Sequence, residues 1–164
     1  MTAIKNWLLP IIILALLAIL GWQLTQKPIA PNVIFTTLDG KKISMPELKG
    51  KVVLVNFWAT DCSGCIAEMP DLIKTYQKYH AKGFEIVAVA MSYDPPAQVL
   101  NFTNIKRLPF LVMHDGLGEI TQQFGGVNLT PTALIYNKEG ERIQRTIGTL
   151  DFSALEKLLN KELS

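Results

Sequence analysis

The sequence has 164 residues, 49% of them hydrophobic, with 16 Lys+Arg against 14 Asp+Glu and a formal net charge of +2. That is room for one domain with a tail or anchor left over. A balance this even, with basic residues scattered along the chain, argues against nucleic-acid binding, and Lys41-Lys42 and Lys106-Arg107 read as solvated turns. The only two cysteines stand three positions apart, which excludes a disulfide framework; with only His80 and His114 to help, it also argues against a four-ligand zinc site.

The N-terminus accounts for much of the apolar excess. Trp7 to Leu24 carries no charge over 18 residues, and a membrane-spanning helix needs about 17–25. Residues 1–6, with Lys5 and the amino group, precede it as a cytoplasmic segment, which places the rest of the chain outside. The run ends without a small-residue cleavage site, and Trp7 and Trp22 bracket it as interfacial anchors do, so residues 7–24 are expected to be an uncleaved signal anchor. Residues 25–32, with Pro28 and Pro31, read as a short stiff spacer.

Residues 33–164 read as one α/β domain with a mixed sheet flanked by helices. Val33–Thr37 and Lys42–Met45 are expected to form a hairpin about the turn at Leu38–Lys41. Pro46–Gly50 fits one helical turn, and Lys51–Trp58 is a strand buried on both faces. Cys62–Lys82 follows as a helix with Ile66, Met69, Ile73, Tyr76 and His80 on one face, kinked at Pro70 and stopped by Gly83. Phe84–Met91 is a second buried strand. Pro95–Asn104 is a helix opened by Asp94 and the prolines, Phe110–His114 a third strand, and Gly118–Phe124 a short helix. Ala133–Tyr136 and Arg142–Ile147 form a hairpin about Asn137–Gly140. Asp151 caps a final amphipathic helix to Leu163, with Leu155, Leu158 and Leu159 inward.

The chemistry is concentrated where the strand ending at Trp58 passes through a short loop into a helix. Cys62 lies at the helix N-terminus, where unpaired N–H groups and the helix dipole stabilise a thiolate. Cys65 is one turn further in, close enough to join it. This arrangement predicts thiol–disulfide exchange: Cys62 attacks a partner disulfide, and the deeper Cys65 then attacks Cys62 and frees the reduced partner. Glu68 shares the face of Cys65, and a partly buried carboxylate there is suited to take the Cys65 proton.

At these residues the chain resembles the TlpA/ResA family of membrane-anchored thioredoxin-like proteins. The resemblance is carried by Val55-Asn56-Phe57-Trp58-Ala59-Thr60, Cys62-x-x-Cys65, Glu68-Met69-Pro70, Phe84–Val89 and Thr130-Pro131-Thr132 through Gly140. It implies a thioredoxin-like fold with an N-terminal hairpin extension and a redox-active Cys62–Cys65 disulfide. It also implies an acidic Glu68 beneath the pair and a cis-proline at Pro131 facing the cysteines. The Thr130 backbone would be free to pair with an extended substrate, and Trp58 would belong to the same contact region. Asn56 stands where thioredoxins proper carry a buried Asp.

The resemblance further implies a reductant of exported proteins, with apocytochrome c or a copper-site protein as substrate, recharged by a membrane thiol donor of the DsbD/CcdA kind. No cofactor is implied. One departure stands out: Asp61 occupies the place before the first cysteine where the family usually has Trp. A carboxylate there opposes ionisation of Cys62 and should make the pair a stronger reductant. The second reading is a copper chaperone using Cys62, Cys65 and a histidine, His114 being the better candidate. A peroxidase would need Thr where the chain has Ala59.

Overall fold

The computed structural model describes residues 3–25 and 27–164, and within the first helix the side chains of residues 10–22. The first helix, α1, spans Ala3–Thr25 and contains Pro10. Its side chains from Ile11 to Trp22 are exposed. The start of the expected cytoplasmic segment, Met1-Thr2, and the side chain of Trp7 lie outside the described residues. Among the described residues no helix is long and apolar enough to cross a membrane.

The segment expected to be a spacer is tied to the domain. Ala30 N donates to Gly140 O at 2.8 Å, and Arg142 N donates to Pro28 O at 2.8 Å. Ile29 makes an isolated antiparallel bridge with Glu141. A chain with two prolines has few N–H groups to offer, and this one ties itself down through one N–H, that of Ala30, and one carbonyl, that of Pro28. Next comes the expected hairpin, β1 (Ile34–Thr36) with β2 (Lys42–Ser44), followed by one 3-10 turn over Met45–Leu48.

The main sheet has the order β5-β4-β3-β6-β7, from β3 (Val52–Trp58), β4 (Phe84–Ala90), β5 (Leu111–His114), β6 (Thr132–Tyr136) and β7 (Arg142–Ile147). β3, β4 and β5 are parallel, while β6 and β7 return antiparallel. Every residue of β3 and β4 is buried, as their β-branched and apolar composition requires of strands covered on both faces. Alternation along β3 sends Val52, Leu54 and Trp58 into one apolar core, and Val53, Val55 and Phe57 into the other. Each such side chain contributes about 1.5–3 kcal/mol of burial.

The first core is covered by α2 (Ser63–Tyr79), α3 (Pro96–Lys106) and α5 (Phe152–Glu162). The second lies beneath the β1–β2 hairpin and the short helix α4 (Glu119–Gln123), where the Phe124 ring packs on Phe35, Phe57 and Tyr136. This is the thioredoxin-like arrangement with its hairpin extension.

Two expectations about the helices change. The buried stripe of α2 is Cys65, Glu68, Met69, Leu72, Thr75, Tyr76 and Tyr79. Ile66 and Ile73 sit at its edge and His80 is exposed, its ring against Tyr76. A hydrophobicity pattern cannot place Glu68 and Thr75 inward, so the predicted face was rotated toward its apolar neighbours. The helix runs through Pro70, passes into a 3-10 turn at His80–Lys82, and stops at Gly83 with φ +98°, a left-handed conformation that glycine adopts without steric cost. In α3, Pro95 and Pro96 open the helix without Asp94, whose carboxylate is engaged elsewhere. Asp151 caps α5 as expected, accepting from the N–H groups of Ser153 and Ala154.

Candidate active site

Cys62 is the N-cap of α2, and its Sγ accepts a hydrogen bond from Cys65 N at 3.2 Å. The two cysteines form a disulfide, with Cα atoms 5.3 Å apart. Cys62 is half-buried, and Cys65 is fully buried. The accessible sulfur is thus the one at the helix N-terminus, where the amide dipoles favour a thiolate in the reduced protein. The loop feeding the helix is clamped from outside. The buried carboxylate of Asp94 accepts from Thr60 N at 2.6 Å and from Thr60 Oγ1 at 2.5 Å. Sequence reasoning missed this clamp by assigning Asp94 to helix capping. The signal was the Pro95-Pro96 pair, which supplies no N–H for a cap to satisfy.

Beneath the pair, Glu68 is 4% exposed and shares the inner face of α2 with Cys65. Its Oε1 accepts from Asn56 Nδ2 at 3.3 Å, and its Oε2 accepts from Leu150 N at 3.2 Å. Burial pushes the Glu68 carboxyl above the usual carboxylate range, against the opposing pull of those two hydrogen bonds. A carboxyl so placed holds its proton more tightly than a solvated one does. The β3 alternation that turns Leu54 and Trp58 toward α2 turns Asn56 the same way, which is how the strand reaches Glu68. Leu150 had no signal in the sequence, because a backbone donor has no residue signature.

The facing wall comes from the loop before β6. The Thr130–Pro131 peptide bond is cis. A Cβ placed on Gly64, between the cysteines, would meet Pro131 Cδ at 3.6 Å and Thr149 Cγ2 at 3.4 Å. The proline ring therefore lies directly against the Cys62–Cys65 turn. Thr130 is half-buried; its Oγ1 lies 3.3 Å from the hydroxyl of the exposed Tyr93, and its backbone groups make no hydrogen bond within the described residues. Tyr93 and Thr149 were not anticipated.

Trp58, expected in the contact region, is fully buried against Phe102 with ring centroids 5.4 Å apart. It packs in the core, because alternation along β3 points it beneath α2 and α3. Asp61 is exposed beside Cys62. His114 closes β5, two strands from β3, with Nε2 2.8 Å from the backbone oxygen of Asp94. Among the described residues no group of three His, Cys, Asp or Glu side chains is placed to hold a metal ion.

Residues 25–159 match the Redoxin family model. The chain is 40% identical over 132 residues to the thiol-disulfide oxidoreductase ResA of Bacillus thuringiensis subsp. konkukian, covering 80% of this chain and 75% of that one. The chain belongs to the ResA-type thiol–disulfide oxidoreductases of the redoxin family. A second relative, the thioredoxin-like protein YneN of Bacillus subtilis, is 32% identical over 96% of this chain and 98% of its own. Among solved structures, a thiol:disulfide interchange protein of Chlorobium tepidum superposes with a TM-score of 0.78 at 26% identity, over 85% of this chain and 99% of that one. As a ResA-type oxidoreductase the protein is an enzyme whose redox pair is Cys62 and Cys65, and the structure holds that pair in its oxidised state.

Proposed function

We propose that the protein is a membrane-tethered reductase of disulfides in exported proteins. The observation that carries this reading is the buried Glu68 carboxyl beside Cys65, held by Asn56 and Leu150. In the reduced protein the Cys62 thiolate attacks one sulfur of a partner disulfide; a Cys62–partner bond forms as the partner disulfide breaks, and the partner's other sulfur leaves as a thiolate. Glu68 takes the proton of Cys65. The Cys65 thiolate then attacks Cys62 Sγ, the mixed disulfide breaks, and the partner departs fully reduced while the enzyme is left with the Cys62–Cys65 bond. The unpaired Thr130 backbone beside Pro131 offers a short edge to which an extended cysteine-bearing segment can add.

The tether is residues 7–24, uncharged, with exposed apolar side chains from Ile11 to Trp22. Lys5 precedes this run, which favours an inside N-terminus and a catalytic domain on the extracytoplasmic side of the inner membrane. A reductant there must be recharged across the membrane, so a thiol donor of the DsbD/CcdA kind is its partner. An unfolded apocytochrome c or a copper-site protein is a fitting substrate class. No observation favours the copper-chaperone reading: among the described residues no group of three His, Cys, Asp or Glu is placed to hold a metal, and His114 Nε2 is engaged with the backbone oxygen of Asp94. The test is a trap: Cys65→Ser in the full chain should accumulate a mixed disulfide through Cys62 with exported proteins. Capture of cytoplasmic proteins alone, or of none, would refute the proposal.

A further inference from the structure

Several basic residues that are scattered in the sequence are gathered by the fold at one end of the domain, and none stands in the segments around the redox pair. The segments around the redox pair are 59–65, 91–96, 115–119, 127–131 and 147–152, at the C-terminal ends of β3, β4 and β5, before β6 and after β7. None contains Lys or Arg, and together they carry Asp61, Asp94, Asp115, Glu119 and Asp151. At the opposite pole, backbone bonds gather the turns: Gly50 N donates to Lys138 O at 2.8 Å, and Val52 N donates to Gly83 O at 2.9 Å. These bonds bring together Lys49, Lys51, Lys82 and Lys138, and α3 ends toward the same pole with Lys106 followed by Arg107.

Lys51 is paired with the buried Glu85 at 3.1 Å. Lys49, Lys82, Lys106, Arg107 and Lys138 have no carboxylate within ion-pair distance among the described residues. Glu139 is the exposed acid of this turn, and Glu141 is matched by Lys27 at 3.4 Å. The chain from α1 enters here too, through the bonds of Pro28 and Ala30 to Arg142 and Gly140. Only two residues separate Thr25, the last of α1, from Pro28, so the β7 side of this pole, where Pro28 O accepts from Arg142 N, is anchored within roughly 10 Å of the helix end. The length of β3 sets the redox pair about 20 Å further away.

We propose that this basic pole is a docking surface for anionic phospholipid headgroups of the membrane that holds α1, and that docking turns the redox pair away from the bilayer. The proposal rests on the tethered reading above. Lysines within a Debye length of an anionic surface are drawn to it, and the acidic redox pole is repelled. The docked enzyme reaches partners that extend out from the membrane and is held away from disulfides at the lipid surface.

The experiment uses the reduced full-length protein in lipid nanodiscs, either phosphatidylcholine alone or phosphatidylcholine with phosphatidylglycerol. Two probes are compared in single turnovers: a disulfide attached to a lipid headgroup and a neutral soluble peptide disulfide. Anionic discs should slow reduction of the headgroup probe by about tenfold relative to neutral discs, and leave the soluble probe unchanged. Raising NaCl to about 0.5 M, or the triple change Lys49→Gln, Lys82→Gln and Lys138→Gln, should remove the difference. Equal rates in the two discs, with the protein still retained after alkaline extraction, overturn the docking proposal. Loss of the protein on alkaline extraction overturns the tethered reading beneath it, a distinct result. If lipid charge has no effect while soluble polyglutamate binds the pole, the occupant is an acidic protein and the lipid proposal falls.

Discussion

Glu68 is placed where a carboxylate is disfavoured, yet both its oxygens accept hydrogen bonds. Its protonated form is therefore favoured by burial, and its charged form is tolerated, which suits a group that receives a proton and returns it. Glu68→Gln keeps the shape and removes the base; resolution of the mixed disulfide should slow by about 10²-fold or more, with Cys62 attack little changed. Stopped-flow separation of the two steps checks this. The stability sign follows from the raised carboxyl. The folded state holds this proton more tightly than the unfolded chain, so stability falls as pH rises from the ordinary carboxylate range through the folded value. The Glu68→Gln variant should lack that decline when melting is followed from pH 4 to pH 8. Beside Cys62, Asp61→Asn removes a like charge from the thiolate and should raise the reduction potential by roughly 10–30 mV. An unchanged potential, measured against a dithiothreitol couple, would leave Asp61 without a role in tuning.

At the scale of elements, two loops are held by one residue pair. Asp94, after β4, fixes Thr60, two residues before Cys62, so the loop into α2 is positioned from a neighbouring strand. Thr60→Val keeps the branched shape but leaves a buried carboxylate short of one donor. Denaturation of the variant should show a loss of about 1–3 kcal/mol, with slower exchange at Cys62. Elements whose burial is uniform were legible in the sequence: β3 and β4 are apolar but for Asn56 and Glu85 and stand as expected, and the cap of α5 by Asp151 needed only local chemistry. The inner face of α2 was misplaced because two of its buried residues, Glu68 and Thr75, are polar and are satisfied by partners distant in the chain or by backbone. Trp58 was assigned to the substrate-contact region on resemblance, although its strand was read as buried on both faces. Which face of β3 meets α2 is a tertiary fact, and it turns Trp58 inward and Asn56 onto Glu68.

Over the whole molecule, the parallel β3–β4–β5 core with its returning hairpin brings together segments 59–65, 91–96, 130–131 and 149–150 at one end. The redox pair, its acid and the facing Pro131 were readable from motif and resemblance, whereas Leu150 N, Tyr93 and the Asp94 clamp arise only from that topology. The same topology hides a charge separation within a chain whose net charge is +2. Whether the Cys62–Cys65 pair works as a reductant is decided by its reduction potential in the full-length protein, equilibrated against dithiothreitol or glutathione. A reductant is expected to show a value near or below that of thioredoxin, about −270 mV. A value near −120 mV, where strong oxidants such as DsbA lie, would contradict it and make the protein a donor of disulfides.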